Sequence, residues 1–217
     1  MITRQDDRSL CGKGKMYELI ILSILMREPA HGYLIASIIN DIIGPYAKIS
    51  NGRLYPLLSK LEELGMIVTV DRTFKTSKGE RNVRSYEITD EGRERFHEVM
   101  MDTTSNPGEY RQIFLQKVAV MRFLKPAEQL YLIDHYINYC QAHILHLTAE
   151  GDDLKTNKHI ALSPAHLSAT LKVMQHLIDQ WRLELEWARS LREEEITRLE
   201  DVDNAWPAAR LDNEITP

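Results

Sequence analysis

The stretch Ser50-Asn51-Gly52-Arg53-Leu54-Tyr55-Pro56-Leu57-Leu58-Ser59-Lys60-Leu61-Glu62-Glu63-Leu64-Gly65 decides how the rest of the chain is read. Leu54, Leu57, Leu58, Leu61 and Leu64 recur at three- and four-residue intervals, which sets them on one face of a helix. Ser50 or Asn51 can cap its start, and Gly65 can end it. Pro56 removes one backbone donor and is expected to bend the first turn. Ser50, Asn51, Arg53 and Lys60 fall off the leucine stripe. The helix therefore has an apolar face for a core and a polar face for another partner.

Working outward, two helices precede it. The first spans Lys15 to Arg27 and stops at Glu28-Pro29, because the residue before proline avoids helical geometry. The second follows His31-Gly32-Tyr33, with Leu34, Ile35, Ile38, Ile39 and Ile42 at helical spacing, and ends at Gly44-Pro45. Downstream, Met66–Asp71 and Val83–Thr89 are β-branched and roughly alternating, as strands are. A polar loop, Thr73 to Asn82, is expected to join them. Asp90-Glu91-Gly92 opens a fourth helix running to about Met101. Helix, helix, helix and hairpin in this order outline a winged helix-turn-helix.

Thr103-Thr104-Ser105-Asn106-Pro107-Gly108 reads as a domain boundary. Beyond it comes a helical stretch near 109–123, then two long helices. Leu130, Ile133, Ile137, Cys140, Ile144 and Leu147 form one heptad seam; Leu167, Leu171, Met174, Ile178, Trp181, Leu185 and Ala188 form another. Ser163-Pro164 is a strong start signal for the last helix. A helix from 164 to 198 would extend roughly 50 Å, too far to bury its apolar side on so small a domain. A second copy of the chain is the expected partner, with Leu171, Met174, Ile178, Trp181 and Leu185 as dimerisation residues. The expected fold class is thus mostly α. It consists of a flexible arm at 1–14, a winged helix-turn-helix DNA-binding domain at 15–103, an antiparallel, coiled-coil-like dimerisation and effector domain at 107–199, and a disordered tail at 200–217.

Composition narrows the function. The 217 residues carry a net charge of −5, yet the first 105 residues are balanced and the acidity lies in the second half. Arg72, Lys75, Lys78, Arg81 and Arg84 face a single acid, Glu80, within 72–84. What a polyanion meets is such a local patch, whose field reaches about a Debye length, not the total charge. Cys11 and Cys140 are the only cysteines, which fits a reducing cytoplasm better than a disulfide-stapled fold. The longest apolar run, Leu19–Met26, falls well short of the roughly 20 residues a bilayer span needs, so no membrane partner is expected.

The chain resembles the PadR family of bacterial transcriptional regulators. His31-Gly32-Tyr33, Gly52-Arg53-Leu54-Tyr55-Pro56-Leu57-Leu58, Leu61-Glu62, Gly65-Met66-Ile67, Arg84, Tyr86 and Thr89-Asp90-Glu91-Gly92 stand in that family's order over about residues 16–95. The resemblance implies a homodimer that binds a double-stranded DNA operator with inverted repeats, more often as a repressor. Its phenolic-acid repressors take an aromatic effector at a domain junction, for which Tyr17, Tyr110, Tyr131, His135 and Trp181 are the candidates here. Packing is the competing reading of each.

For DNA binding, the free amides and polar side chains at the start of the third helix suit a major groove and its phosphates. The candidate contacts are Ser50, Asn51, Arg53, Tyr55 and Lys60, with Arg53 reading a base edge. Lys75, Lys78, Arg81 and Arg84 of the wing would lie on flanking backbone, supplying sequence-independent affinity. No phosphate-binding glycine loop, Gly-x-Ser-x-Gly, His-Glu-x-x-His or Cys-x-x-Cys occurs, so neither an enzyme nor a cofactor is expected. Cys140, His143 and His146 share a helix only loosely as a trio, which favours packing over a metal. The alternatives kept are a coiled-coil interaction module and an effector or metal sensor with a secondary winged domain.

Overall fold

The computed structural model describes residues 13–44, 48–76, 79–104, 107–156 and 163–211; of 13, 72–76, 79–83, 107 and 202–211 the backbone alone is described. The first twelve residues of the expected arm lie outside the described residues, as does Lys78. The chain divides into two compact units, Met1–Met121 and Arg122–Pro217.

In the first unit, α1 (Lys13–Leu25) buries an unbroken Tyr17-Glu18-Leu19-Ile20-Ile21-Leu22. It is a central helix, covered on most sides, as its density of isoleucine and leucine predicts. The buried Glu18 carboxylate is held by Arg95, whose Nε donates at 2.7 Å and Nη2 at 3.4 Å. That forked pair fastens α1 to α4 (Asp90–Met101), since a buried carboxylate is tolerable only when paired. After a two-residue strand β1 (Ala30–His31), α2 (Gly32–Ile43) is capped by the His31 ring, whose Nδ1 accepts from the Leu34 amide at 3.0 Å. Gly44 follows with φ 87°, a left-handed value that favours glycine.

α3 (Asn51–Glu63) buries Leu54, Leu58 and Leu61, while Leu64, just past its end, is exposed. Ser50 occupies the N-cap position, but its carbonyl, not its side chain, takes the first-turn amides. Pro56 sits inside the helix rather than in its first turn. The residue four before it, whose carbonyl the ring crowds, is Gly52. Gly65, with φ 72°, closes the helix, and the Met66 amide returns to the Leu61 carbonyl at 2.9 Å.

β2 (Ile67–Thr76) and β3 (Gly79–Ile88) pair antiparallel from Ile67↔Ile88 to Thr76↔Gly79, and β1 adds to the other edge of β3 in the order β1-β3-β2. The polar loop expected over 73–82 is therefore mostly strand, with Thr73↔Asn82, Phe74↔Arg81 and Lys75↔Glu80 in register. Polar composition concealed it, because a two-stranded ribbon is held by backbone hydrogen bonds that leave no trace in hydrophobic alternation.

The turn into α4 is tightly built. Thr89 Oγ1 accepts from the Gly92 amide at 3.0 Å and donates to the Gly65 carbonyl at 2.7 Å. A Cβ on Gly92 would fall 2.0 Å from the Met66 carbonyl oxygen. α5 (Tyr110–Val120) buries Tyr110, Ile113, Phe114, Lys117 and Val120 and packs on α1, so it belongs to the first unit and not, as the sequence reading has it, to the second. The boundary expected at 103–108 falls within the first unit.

The second unit is a helical hairpin. α6 (Pro126–Thr156) and α7 (Pro164–Leu211) run antiparallel, with Tyr136 beside Glu184 and Trp187, His143 on Trp181, and Gly151 against Leu171 and Met174. Ser163 caps α7 as expected, its Oγ accepting from the His166 amide at 3.3 Å. The helix continues to Leu211 where a frayed tail from 200 was expected. No glycine or proline interrupts residues 165–206, and the helix runs on past Pro207.

Candidate nucleic-acid interface

α3 offers one face inward and one outward. Ser50, Asn51 and Arg53 at its start are exposed, Lys60 in its last turn is half-buried, and no acidic side chain occupies its first turn. The arrangement leaves the positive end of the helix dipole unopposed.

Arg53 is not a freely waving cation. Its guanidinium lies 5.0 Å from the ring centroid of Tyr17, which α1 holds almost entirely buried. Stacking on an aromatic face holds the plane of the fork while leaving its N–H edges free for a bidentate contact. Tyr17, an effector-pocket candidate from sequence, is thus placed beneath the start of α3. Tyr55 is 46% exposed, and its ring lies on Gly32 at the start of α2, where a Cβ would come within 3.0 Å of its hydroxyl oxygen. Both readings of Tyr55, packing and an accessible edge, therefore coexist.

On the wing, Lys75 and Arg81 lie on facing strands one register apart. Arg84 is pinned from the protein side: Nη2 reaches Glu62 Oε2 at 3.3 Å and Thr69 Oγ1 at 3.1 Å, and Nε reaches the same hydroxyl at 3.3 Å. Thr69 Oγ1 in turn donates to Glu62 Oε1. Glu62 thus ties the end of α3 to both strands of the hairpin. Tyr86, nearly buried beneath this group, has its hydroxyl pKa raised, first by burial, against the lowering effect of Arg84.

The family-model comparison matches the transcriptional regulator PadR-like family over residues 21–98, the span from α1 through α4. Residues 21–98 are a PadR-like domain. No curated protein matches the chain. Among solved structures it is similar to Bacillus subtilis PadR in complex with operator DNA, at 20% identity over 82% of this chain and 98% of that one, TM-score 0.36. The same protein in complex with p-coumaric acid is 19% identical over 83% and 98%, TM-score 0.34. A PadR-like regulator from Bacillus cereus is 23% identical over 89% and 99%, TM-score 0.34.

Within the PadR-like domain the quoted signature residues acquire physical jobs. Gly32 makes room for Tyr55, Gly65 turns the chain out of α3, and Thr89 and Gly92 seat α4 on the Met66 carbonyl. Sequence reasoning missed β1, the Glu18–Arg95 pair, and Glu62 and Thr69 as partners of Arg84. It also missed Tyr33, 80% exposed in the first turn of α2 and stacked on His31. Only the odd placement of a large aromatic off the apolar stripe could have signalled Tyr33.

The remaining effector candidates separate. Tyr110 is buried in the first unit against Phe114 and Lys117. In the second unit Trp181 is stacked on His143 at 4.2 Å with Tyr139 at its edge, while Tyr131 is 51% exposed. Burial, and next His146, lower the His143 pKa. Among the described residues no group of histidine, cysteine and acidic side chains is arranged to hold a metal. No described helix is long and apolar enough to cross a membrane.

Proposed function

We propose that the protein is a bacterial, cytoplasmic transcriptional regulator, acting as a repressor, that binds an inverted-repeat operator as a homodimer. The observation that carries the reading is α3: a helix whose leucines are sunk in the domain while Ser50, Asn51 and Arg53 stand exposed at its positive end. A helix of this diameter fits a major groove, and side chains at its start reach base edges there. Lys75 and Arg81 on the following hairpin, with Lys78 between them in sequence, add charge where flanking phosphates would run.

Homodimerisation is supported by apolar side chains on the α6–α7 hairpin that its own packing leaves exposed, among them Leu145 at 72% and Leu183 at 67%. Two such domains related by a twofold axis read half-sites about 34–36 Å apart. An aromatic effector is a further part of the proposal, with Tyr131 and His135, one turn apart on α6, as its candidate contacts.

Selection of bound sequences from random DNA, followed by fluorescence anisotropy on the enriched repeat, tests the reading. Lys78→Ala should weaken operator and random DNA alike and lower the salt slope by about one, whereas Arg53→Ala should relax preference at one operator position. No enrichment and no binding at low salt would end the proposal.

A further inference from the structure

Arg84 was expected to touch DNA as one more wing cation. Its surroundings argue otherwise. The guanidinium spans three elements: it pairs with Glu62 in the last turn of α3, donates twice to Thr69 on β2, and springs from β3 with its carbon 6.0 Å above the Tyr86 ring centroid. Thr69 closes the group by donating to the second oxygen of the same carboxylate.

We propose that Arg84 is a positioning residue, which with Glu62 and Thr69 sets the angle at which the hairpin leaves the recognition helix, and that its charge is used inside the protein rather than on a phosphate. The inference deepens the DNA-binding reading and rests on it. Its physical basis is geometric. The side chain is 63% exposed, so water screens the ion pair and little stability is expected from it. A planar fork sharing one hydroxyl and one carboxylate nonetheless tolerates few orientations, and what it orients is the base of the two-stranded ribbon. The distal residues Lys75 and Arg81 are carried on that ribbon, so a small change of angle at its root moves them furthest.

The experiment is a salt titration of anisotropy with the enriched operator and with random duplex, on full-length protein carrying Arg84→Ala, Glu62→Gln, both together, or the exchanged pair Glu62→Arg with Arg84→Glu. A positioning role predicts that Arg84→Ala and Glu62→Gln each reduce operator preference over random DNA about tenfold, that the double variant is no worse than either, and that the salt slope stays at the wild-type value. The exchanged pair should recover most of the preference. A DNA-free readout accompanies it: amide exchange over 67–71 and 84–88 should quicken to a similar extent in both single variants. A slope lowered by about one in Arg84→Ala, with equal losses on operator and random DNA, would make Arg84 a phosphate contact and overturn the inference while leaving the function intact. Preference unchanged in Glu62→Gln would overturn it too. A wild-type chain that binds no DNA sinks both.

Discussion

Lys117 shows what a single side chain can cost and still be kept. It is fully buried on α5, its ammonium donates to the Asp102 carbonyl at 2.6 Å, and burial brings its pKa down to about 8, with Asp102 pulling the other way. Because the unfolded chain protonates this lysine at higher pH than the folded one, stability should rise as pH climbs from about 8 toward the ordinary lysine value and be flat below that window. Lys117→Met keeps the length and removes the charge. We expect it to flatten that part of the profile and to raise stability at pH 7 by about 1 kcal/mol, read as the urea midpoint across pH. A loss of more than about 2 kcal/mol would mean that the bond closing the end of α4 outweighs the desolvation of the cation.

At the scale of elements, legibility in the sequence followed the physics of each. Helices with one apolar face, α2 and α3, were readable because 3.6-residue periodicity is a record of burial, and α4 because capping chemistry at Thr89 and Gly92 is local. The outer wing was not, since its pairing is a property of backbone, and neither was β1, whose two residues are strand only because β3 lies beside them. Of the candidate site, the exposed start of α3 was foreseen, while the partners of Arg84 within the fold were not, because charge alone does not say whether a partner waits there. Gly92 is the element-scale test. Met66's carbonyl is backbone and cannot swing aside, so Gly92→Ala should cost about 2–3 kcal/mol and lower Tm by on the order of 10 °C. Gly108→Ala, with nothing within 4 Å of the added carbon, is the matched control and should be near neutral. Equal melting of the two would show that α4 seats loosely.

For the whole molecule, the seam on α7 is the feature that bears on assembly. Leu171, Met174, Ile178, Trp181 and Leu185 were expected to hold two chains together, yet Ile178 is buried and Trp181 stacked within the hairpin, against α6 of the same chain. A heptad pattern states that a face needs a neighbour; it does not state which chain supplies it. Leu171, Met174, Trp181 and Leu185 remain only partly covered. A second copy that also uses the exposed leucines should be lost with Leu145→Glu and Leu183→Glu, which would convert a dimer to monomers in light scattering at unchanged helix content. Ile178→Glu should instead lose helix signal. A dimer untouched by the first pair of changes would move the interface elsewhere.

From Asp71 and Arg84 outward, the hairpin is two strands wide, with no third strand along either side among the described residues. Such a bare ribbon invites its twin to lie down next to it, and mutual repulsion among Lys75, Lys78 and Arg81 is a common natural deterrent. Erasing those charges wholesale, in order to abolish DNA affinity, would therefore also make the protein sticky, and precipitation could pass for loss of function. Neutralising them singly avoids the confusion.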